Sequence, residues 1–254
     1  MELSGSIALV TGGSRGIGKN VVQSVAGRGA DVVFTYRSSE AEAEALVAEV
    51  ERMGRRAVAL PLDAGDAGAF GAFAEMVRGV LRGWGAERFR FLVNNAGLGL
   101  YASVADTTEA QFDEIMDVHV KGPFFLTQRL LPLMADGGRI VNVSSALTRA
   151  GVTYQGFAAY ASAKGAVEVM TRYMAAELGP RRISVNAIAP GGIVTDFGGG
   201  AMRDLATNEM VASRTALGRA GLPEDVGGVV ASLLSPEMGW ANAQRIEVSG
   251  GQDL

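Results

Sequence analysis

The chain has 254 residues, 48% of them hydrophobic, and a formal net charge of −4 at pH 7. An α/β fold can use that length as one domain and bury a large core with it, while the acidic balance argues against a nucleic-acid surface. Cysteine is absent and histidine occurs once, which excludes disulfides, thiolate chemistry and a multi-histidine metal site, so no metal is expected.

Ile7-Ala-Leu-Val10 is an apolar run of strand length with no basic n-region before it, and no segment has the apolar length of a membrane span. A cytoplasmic protein with no membrane partner is expected. After this first strand the turn Thr11-Gly-Gly-Ser-Arg-Gly-Ile-Gly18 leads into a predicted helix over 17–29, with Val21, Val22 and Val25 at core-facing spacing and Gly29 placed to end it. The second strand is predicted over 31–36, and Ser39 opens a Glu/Ala-rich helix that stops at Gly54. Further strands are predicted over 57–62, 89–93 and 139–143, separated by helices over roughly 66–84 and 108–135. A helix over 160–178, a strand over 183–188, a Gly-rich stretch, a helix over 223–234 with Pro in its first turn and a last strand over 245–248 complete the chain. Short β-branched strands alternating with helices predict a parallel sheet covered on both faces. The expected fold is α/β, a Rossmann-type doubly wound parallel sheet of about seven strands with helices on both faces. It forms a single NAD(P)-binding domain over 1–254, with a substrate lid at about 191–215 inserted near the C-terminus.

The Gly-rich turn has a mechanism. Gly12 lets the chain leave the first strand sharply, Gly16 lets backbone approach a pyrophosphate, and Gly18 lets the helix pack closely on the sheet. The helix N-terminus offers free N–H groups and a positive dipole end to phosphate. The spacing, Gly-x3-Gly-x-Gly, differs from the commoner G-x-G-x-x-G fingerprint.

With the segments that follow, this turn resembles the short-chain dehydrogenase/reductase family in its short, single-domain form. The resemblance runs nearly end to end: Thr11-Gly-x3-Gly-x-Gly18, Asp63, Asn94-Asn-Ala-Gly97, Ser145, Tyr160-x3-Lys164, Pro190-Gly191 and Ser249-Gly-Gly251. It implies an enzyme that interconverts a ketone and a secondary alcohol by hydride transfer. Tyr160 is then the acid/base, Lys164 the cation that favours its anion and holds the nicotinamide ribose, and Ser145 the hydrogen-bond partner of the substrate oxygen, with Ser144 beside it as the alternative. The implied cofactor contacts are Gly12, Ser14, Arg15, Gly16, Ile17 and Gly18 in the turn, then Tyr36, Arg37 and Ser38 after the second strand. Asp63, Ala64, Asn95, Ala96 and Gly97 follow, then Tyr160 and Lys164, and finally Pro190, Gly191, Ile193 and Thr195. One position departs from the family: His119 stands where an Asn usually completes the catalytic set. Either its imidazole joins proton transfer, or its main-chain carbonyl keeps the water-holding role of the family's Asn, which is the favoured expectation.

Cofactor choice follows from the end of the second strand. A carboxylate there would repel a 2′-phosphate; this chain has Tyr36, then Arg37-Ser38-Ser39, with Arg15 nearby in the turn. NADP(H) is therefore expected in preference to NAD(H). Leu98, Leu100, Tyr101, Tyr154, Phe157, Phe197 and Met202 predict an apolar pocket mouth and a hydrophobic small-molecule carbonyl or alcohol substrate. Tyr154 and Phe157 lie in a loop longer than the family's. The alternative substrate is a 3-oxoacyl group on acyl carrier protein, an acidic partner that needs a basic patch. The turn Met134-Ala-Asp136-Gly-Gly is acidic, leaving Arg181 and Arg182 as candidates. A non-catalytic NADP-binding scaffold is the reading from another class, opposed by the presence of both Tyr160 and Lys164. The helices over 108–135 and 160–178, the second carrying Val167, Met170, Tyr173 and Met174, are expected to pack between copies in a homotetramer.

Overall fold

The computed structural model describes residues 2–254. Seven strands pair in parallel, the central ones buried on both faces of the sheet and the two outermost, Ala57–Pro61 and Arg245–Val248, only partly buried. They are β1 (Ile7–Val10), β2 (Asp31–Tyr36), β3 (Ala57–Pro61), β4 (Phe89–Asn94), β5 (Met134–Val143), β6 (Ser184–Pro190) and β7 (Arg245–Val248). Their order is β3-β2-β1-β4-β5-β6-β7. Val10 pairs with Phe34 on one side and Val93 on the other, so the order reverses between β1 and β4. A ligand crevice is expected beyond the carboxyl ends of the strands at such a reversal.

Alternation along β1 divides the core. Ala8 and Val10 face one layer, where Val21, Val22 and Val25 of α1 (Gly16–Gly27) meet Leu46 and Val50 of α2 (Glu40–Arg52) and Val226 and Val230 of α8 (Pro223–Leu233). Ile7 and Leu9 face the other layer. There Phe70, Phe73, Val77 and Leu81 of α3 (Phe70–Gly83) meet Leu126 and Leu130 of α5 (Gly122–Leu130) and Ala175 of α6 (Ala158–Leu178). Each large side chain so buried contributes about 1.5–3 kcal/mol, and together they fix the helices that carry the site.

The single helix predicted over 108–135 is not continuous. α4 (Glu109–Met116) gives way to a π turn at Asp117–Lys121, then α5, then a 3-10 turn at Leu131–Leu133, and residues from Met134 onward already belong to β5. The prolines at 123 and 132 are the reason, since neither can donate to the turn before it. The π turn turns Val118 and His119 inward together. The Gly-rich stretch also holds a helix that periodicity did not assign, α7 (Leu205–Ser213). Only Val211 of α7 is buried, so there is no apolar stripe to detect. Ahead of it Gly198, Gly199 and Gly200 all have φ between 60° and 79°. Among the described residues no helix is long and apolar enough to cross a membrane.

Candidate active site

The crevice is built by loops tied to one another. Thr11 Oγ1 accepts from the amides of Asn95 and Ala96, both at 3.0 Å, and Asn95 Nδ2 donates to the carbonyls of Thr11 (2.9 Å) and Gly12 (3.1 Å). The turn after β1 and the loop after β4 therefore form one floor. Gly12 and Gly16 have φ of +64° and +55°, where a side chain is strained, and a Cβ on Gly18 would lie 2.0 Å from the Gly12 carbonyl oxygen. No side chain caps α1, and no acidic residue sits in its first turn, so its leading N–H groups face the crevice without a protein anion. Behind the floor, Asn94 Nδ2 donates to Asn142 Oδ1 (2.8 Å) and Asn142 Nδ2 to Thr171 Oγ1 (2.9 Å). This buried polar chain sets α6 against the ends of β4 and β5.

α6 carries Tyr160 and Lys164 one turn apart, both buried. Lys164 Nζ donates to the Val143 carbonyl at 2.7 Å and lies 5.7 Å from the centre of the Tyr160 ring. Of the two serines after β5, Ser144 points away: its hydroxyl donates to Glu168 (2.7 Å) and lies 3.3 Å from the Lys164 carbonyl. Ser145 caps the short turn Ala146–Thr148 through Leu147 N (3.3 Å), and its hydroxyl acts on the Tyr160 phenol. Burial pushes that phenol above its ordinary value, with Ser145 pulling the other way. Burial also draws Lys164 down to about 7. Lys164 Nζ thus stands over the Tyr160 ring, and burial opposes the charged form of each group.

His119 is buried and neutral. Its Nε2 lies 2.7 Å from the Leu98 carbonyl and its ring meets Tyr160 edge-on at 5.4 Å. Burial, then Lys164, lower its pKa to about 3 against the Leu98 bond, so it carries no charge near neutrality. The ring stands so close to the chain that a Cβ on Gly97 would meet its Cε1 at 2.6 Å. Pro123, four residues on, has no N–H to give the His119 carbonyl its ordinary helical bond.

Apolar rings close the space over Tyr160: Phe197 at 5.9 Å, Phe157 at 6.5 Å, and Tyr101 behind Phe157 at 5.4 Å. Leu98 and Leu100 pack in the same cluster, and the thioether of Met202 lies under Gly192. Tyr154 is elsewhere: its hydroxyl donates to Asp253 and its ring stacks under Arg214 at 4.8 Å.

At the outer crevice Arg15, Arg37 and Ser38 are exposed, Ser14 is buried, and the half-buried Tyr36 donates to Glu40 at 3.1 Å. Asp63 accepts from Gly65 N at 2.9 Å. A cavity of about 600 Å³ opens between Arg37, Asp63, Asp66 and Val118, and one of about 260 Å³ between Gly16, Lys19, Asn20, Val194 and Thr195. Ile17 and Ala64 are half-buried beside these cavities, and Pro190, Gly191 and Ile193 lead from β6 to the second. Sequence reading did not find Glu168, Thr148 and Arg245, which tie α6 and β7 to the Ser145 turn: Arg245 Nε donates to Glu168 at 2.7 Å and Thr148 Oγ1 to the Ser145 carbonyl at 2.7 Å. Partners 77 residues apart leave no local signal.

A family model described as Enoyl-(Acyl carrier protein) reductase matches residues 12–253. The chain is 36% identical, over 98% of its length and 96% of the relative's, to hydroxynaphthalene reductase-like protein Arp2 of Metarhizium brunneum. Among solved structures it resembles the promiscuous reductase LugOII, which catalyses keto-reduction at C1 during lugdunomycin biosynthesis, with 38% identity, a TM-score of 0.94 and full coverage of both chains. It also resembles a short chain dehydrogenase from Burkholderia cenocepacia J2315 in complex with NADP, with 35% identity, a TM-score of 0.91 and 99% of each chain covered.

Proposed function

This chain belongs to the short-chain dehydrogenase/reductase family, and from that premise we propose that it reduces a hydrophobic, aromatic ketone to a secondary alcohol with Tyr160 as proton donor. It is an NADP(H)-dependent oxidoreductase of the ketone and alcohol class. The residues present fit that cofactor: the uncapped N-terminus of α1 and the glycine turn suit a pyrophosphate, and exposed Arg15 and Arg37 suit a 2′-phosphate. When bound, NADPH supplies the hydride to the carbonyl carbon.

The protein's own contribution is the proton and the shape. A phenol kept protonated by burial is a donor at neutral pH, and Ser145 beside it offers a second hydrogen bond to the substrate oxygen as charge develops there. Lys164, fixed by the Val143 carbonyl one turn from Tyr160, carries a positive charge below about pH 7 and would offer its ammonium to the ribose hydroxyls. Phe157 and Phe197 exclude water and offer edges to an aryl ring. The residues around 191–215 act as the lid of a single domain, hinged at the three glycines. The observation that carries this reading is the ring cage over a buried Tyr160. A 3-oxoacyl group on acyl carrier protein is favoured less, because Arg181, one of the two candidate arginines, is consumed internally, donating to Asp136 (2.8 Å) and the Leu131 carbonyl (2.9 Å). We also propose a homotetramer.

The test is NADPH oxidation across aryl ketones, 3-oxoacyl thioesters, quinones and sugars. Aryl ketones are expected to give the highest kcat/KM, and Tyr160→Phe to lower kcat at least a hundredfold with NADPH affinity retained. Preference for acyl thioesters would move the assignment to the carrier-protein substrate, and tight NADPH binding without turnover would make the chain a scaffold.

A further inference from the structure

The segment after β7 touches both ends of the lid, the turn after Ser145 and the 152–157 loop. Leu217 N donates to the Gly250 carbonyl (3.1 Å), Ala216 N to that of Gly251 (3.2 Å), and Asp253 N to that of Arg214 (2.8 Å), so the segment runs beside the chain leaving α7. At the other end of the lid, Gln252 Oε1 accepts from Gly192 N at 2.8 Å. Arg149, which follows the turn capped by Ser145, donates to the carbonyls of Gln252 (2.7 Å) and Asp253. The Asp253 carboxylate, its side chain 11% exposed, accepts from Arg214 Nε at 2.6 Å and from the Tyr154 hydroxyl. An isolated surface ion pair contributes little. Here the Arg214 guanidinium, the Tyr154 phenol and the Gly192 main-chain N–H converge from the lid's exit, the 152–157 loop and the lid's root on two adjacent residues.

We propose that Gln252 and Asp253 are positioning residues, a clasp that fixes both ends of the lid to the loop carrying Phe157 and so sets the space above Tyr160 in which a ketone sits. The clasp acts through Phe197, which lies on the clamped lid 5.9 Å from the Tyr160 ring, and through Phe157 at 6.5 Å. Tyr154 then serves the clasp and does not touch substrate, which explains why the longer loop places its phenol on Asp253. The effect on ketone binding rests on the reductase reading above; the anchoring of the lid does not.

Two measurements separate these. In the NADPH-bound protein without ketone, deuterium uptake over 192–217 and 149–157 is expected to rise in Asp253→Asn and in Gln252→Ala relative to the parent chain; unchanged uptake in both segments overturns the clasp. With an aryl ketone, Asp253→Asn is expected to raise KM about tenfold, as loss of charge-assisted bonds implies, while kcat and NADPH Kd stay within about twofold. Tyr154→Phe removes one hydroxyl and keeps the fold, so it carries the test if Asp253→Asn does not fold. It should raise KM in the same direction, and the double variant should not exceed the larger single effect by the full product, because the two share one contact. A fall in kcat with KM unchanged overturns the positioning role. Raised uptake in a protein that reduces no ketone upholds the clasp and sinks the reductase reading instead.

Discussion

Tyr160 and Lys164 sit one turn apart on α6, and burial opposes the charged form of each: the phenol moves up and the ammonium down to about 7. Lys164 is therefore charged below that pH and loses its proton as pH rises through it. The kcat/KM for NADPH, which reports the free enzyme, is expected to fall above about pH 7. His119 does not share in this, because its neutral form persists down to about pH 3. His119→Asn is accordingly expected to leave kcat within about threefold and the pH profile unchanged, since the main-chain carbonyl stays in place. Loss of about a hundredfold or more in kcat, the usual effect of removing a general acid or base, would assign the proton transfer to the imidazole. The position of His119 as the family's exception was readable from the chain. Its neutrality was not, because desolvation depends on what packs around the ring.

At the scale of elements, we expect the end of β2 to decide cofactor selection. Arg37 is exposed there beside the larger cavity, and no carboxylate follows Tyr36 directly. Glu40, however, accepts from the Tyr36 hydroxyl at 3.1 Å, keeping one negative charge close to that site. Arg37→Ala is expected to raise KM for NADPH roughly tenfold and to change KM for NADH little, on the worth of one guanidinium to a phosphate. Equal losses for both would place Arg37 away from the 2′-phosphate. Most strands were legible as short apolar runs, although β5 begins at Met134, five residues before its apolar run, and the helices α1, α2 and α3 were legible because each has a buried stripe. α7 and the π turn were not: one has almost no buried face, and the other depends on Pro123 leaving the His119 carbonyl without its ordinary helical donor.

Across the whole molecule, the outward faces of α4, α5 and α6 carry Phe112, Phe124, Phe125, Val169 and Tyr173, the last 68% exposed. Val167 is not part of that face, since it is buried within the chain, and Met174 packs into the second core layer. So many aromatic rings left wet on adjacent helices suit burial between copies. Light scattering at micromolar concentration is expected to give about four times the mass of one chain. Phe124→Glu together with Tyr173→Glu should shift it toward smaller species, and a monomeric parent chain would refute the assembly.

The sequence by itself determined the sheet, the glycine turn and the Tyr160/Lys164 pair, because each rests on local periodicity or on residues within a few positions of one another. It could not choose between Ser144 and Ser145, which occupy successive positions at a strand end. The choice belongs to Glu168, one turn beyond Lys164 on α6, whose carboxylate takes the Ser144 hydroxyl and leaves Ser145 beside Tyr160. Nor could it move Tyr154 from the substrate to Asp253, a partner 99 residues away. Contacts of that separation follow from how the layers pack, and only the tertiary structure brings such residues within hydrogen-bond reach.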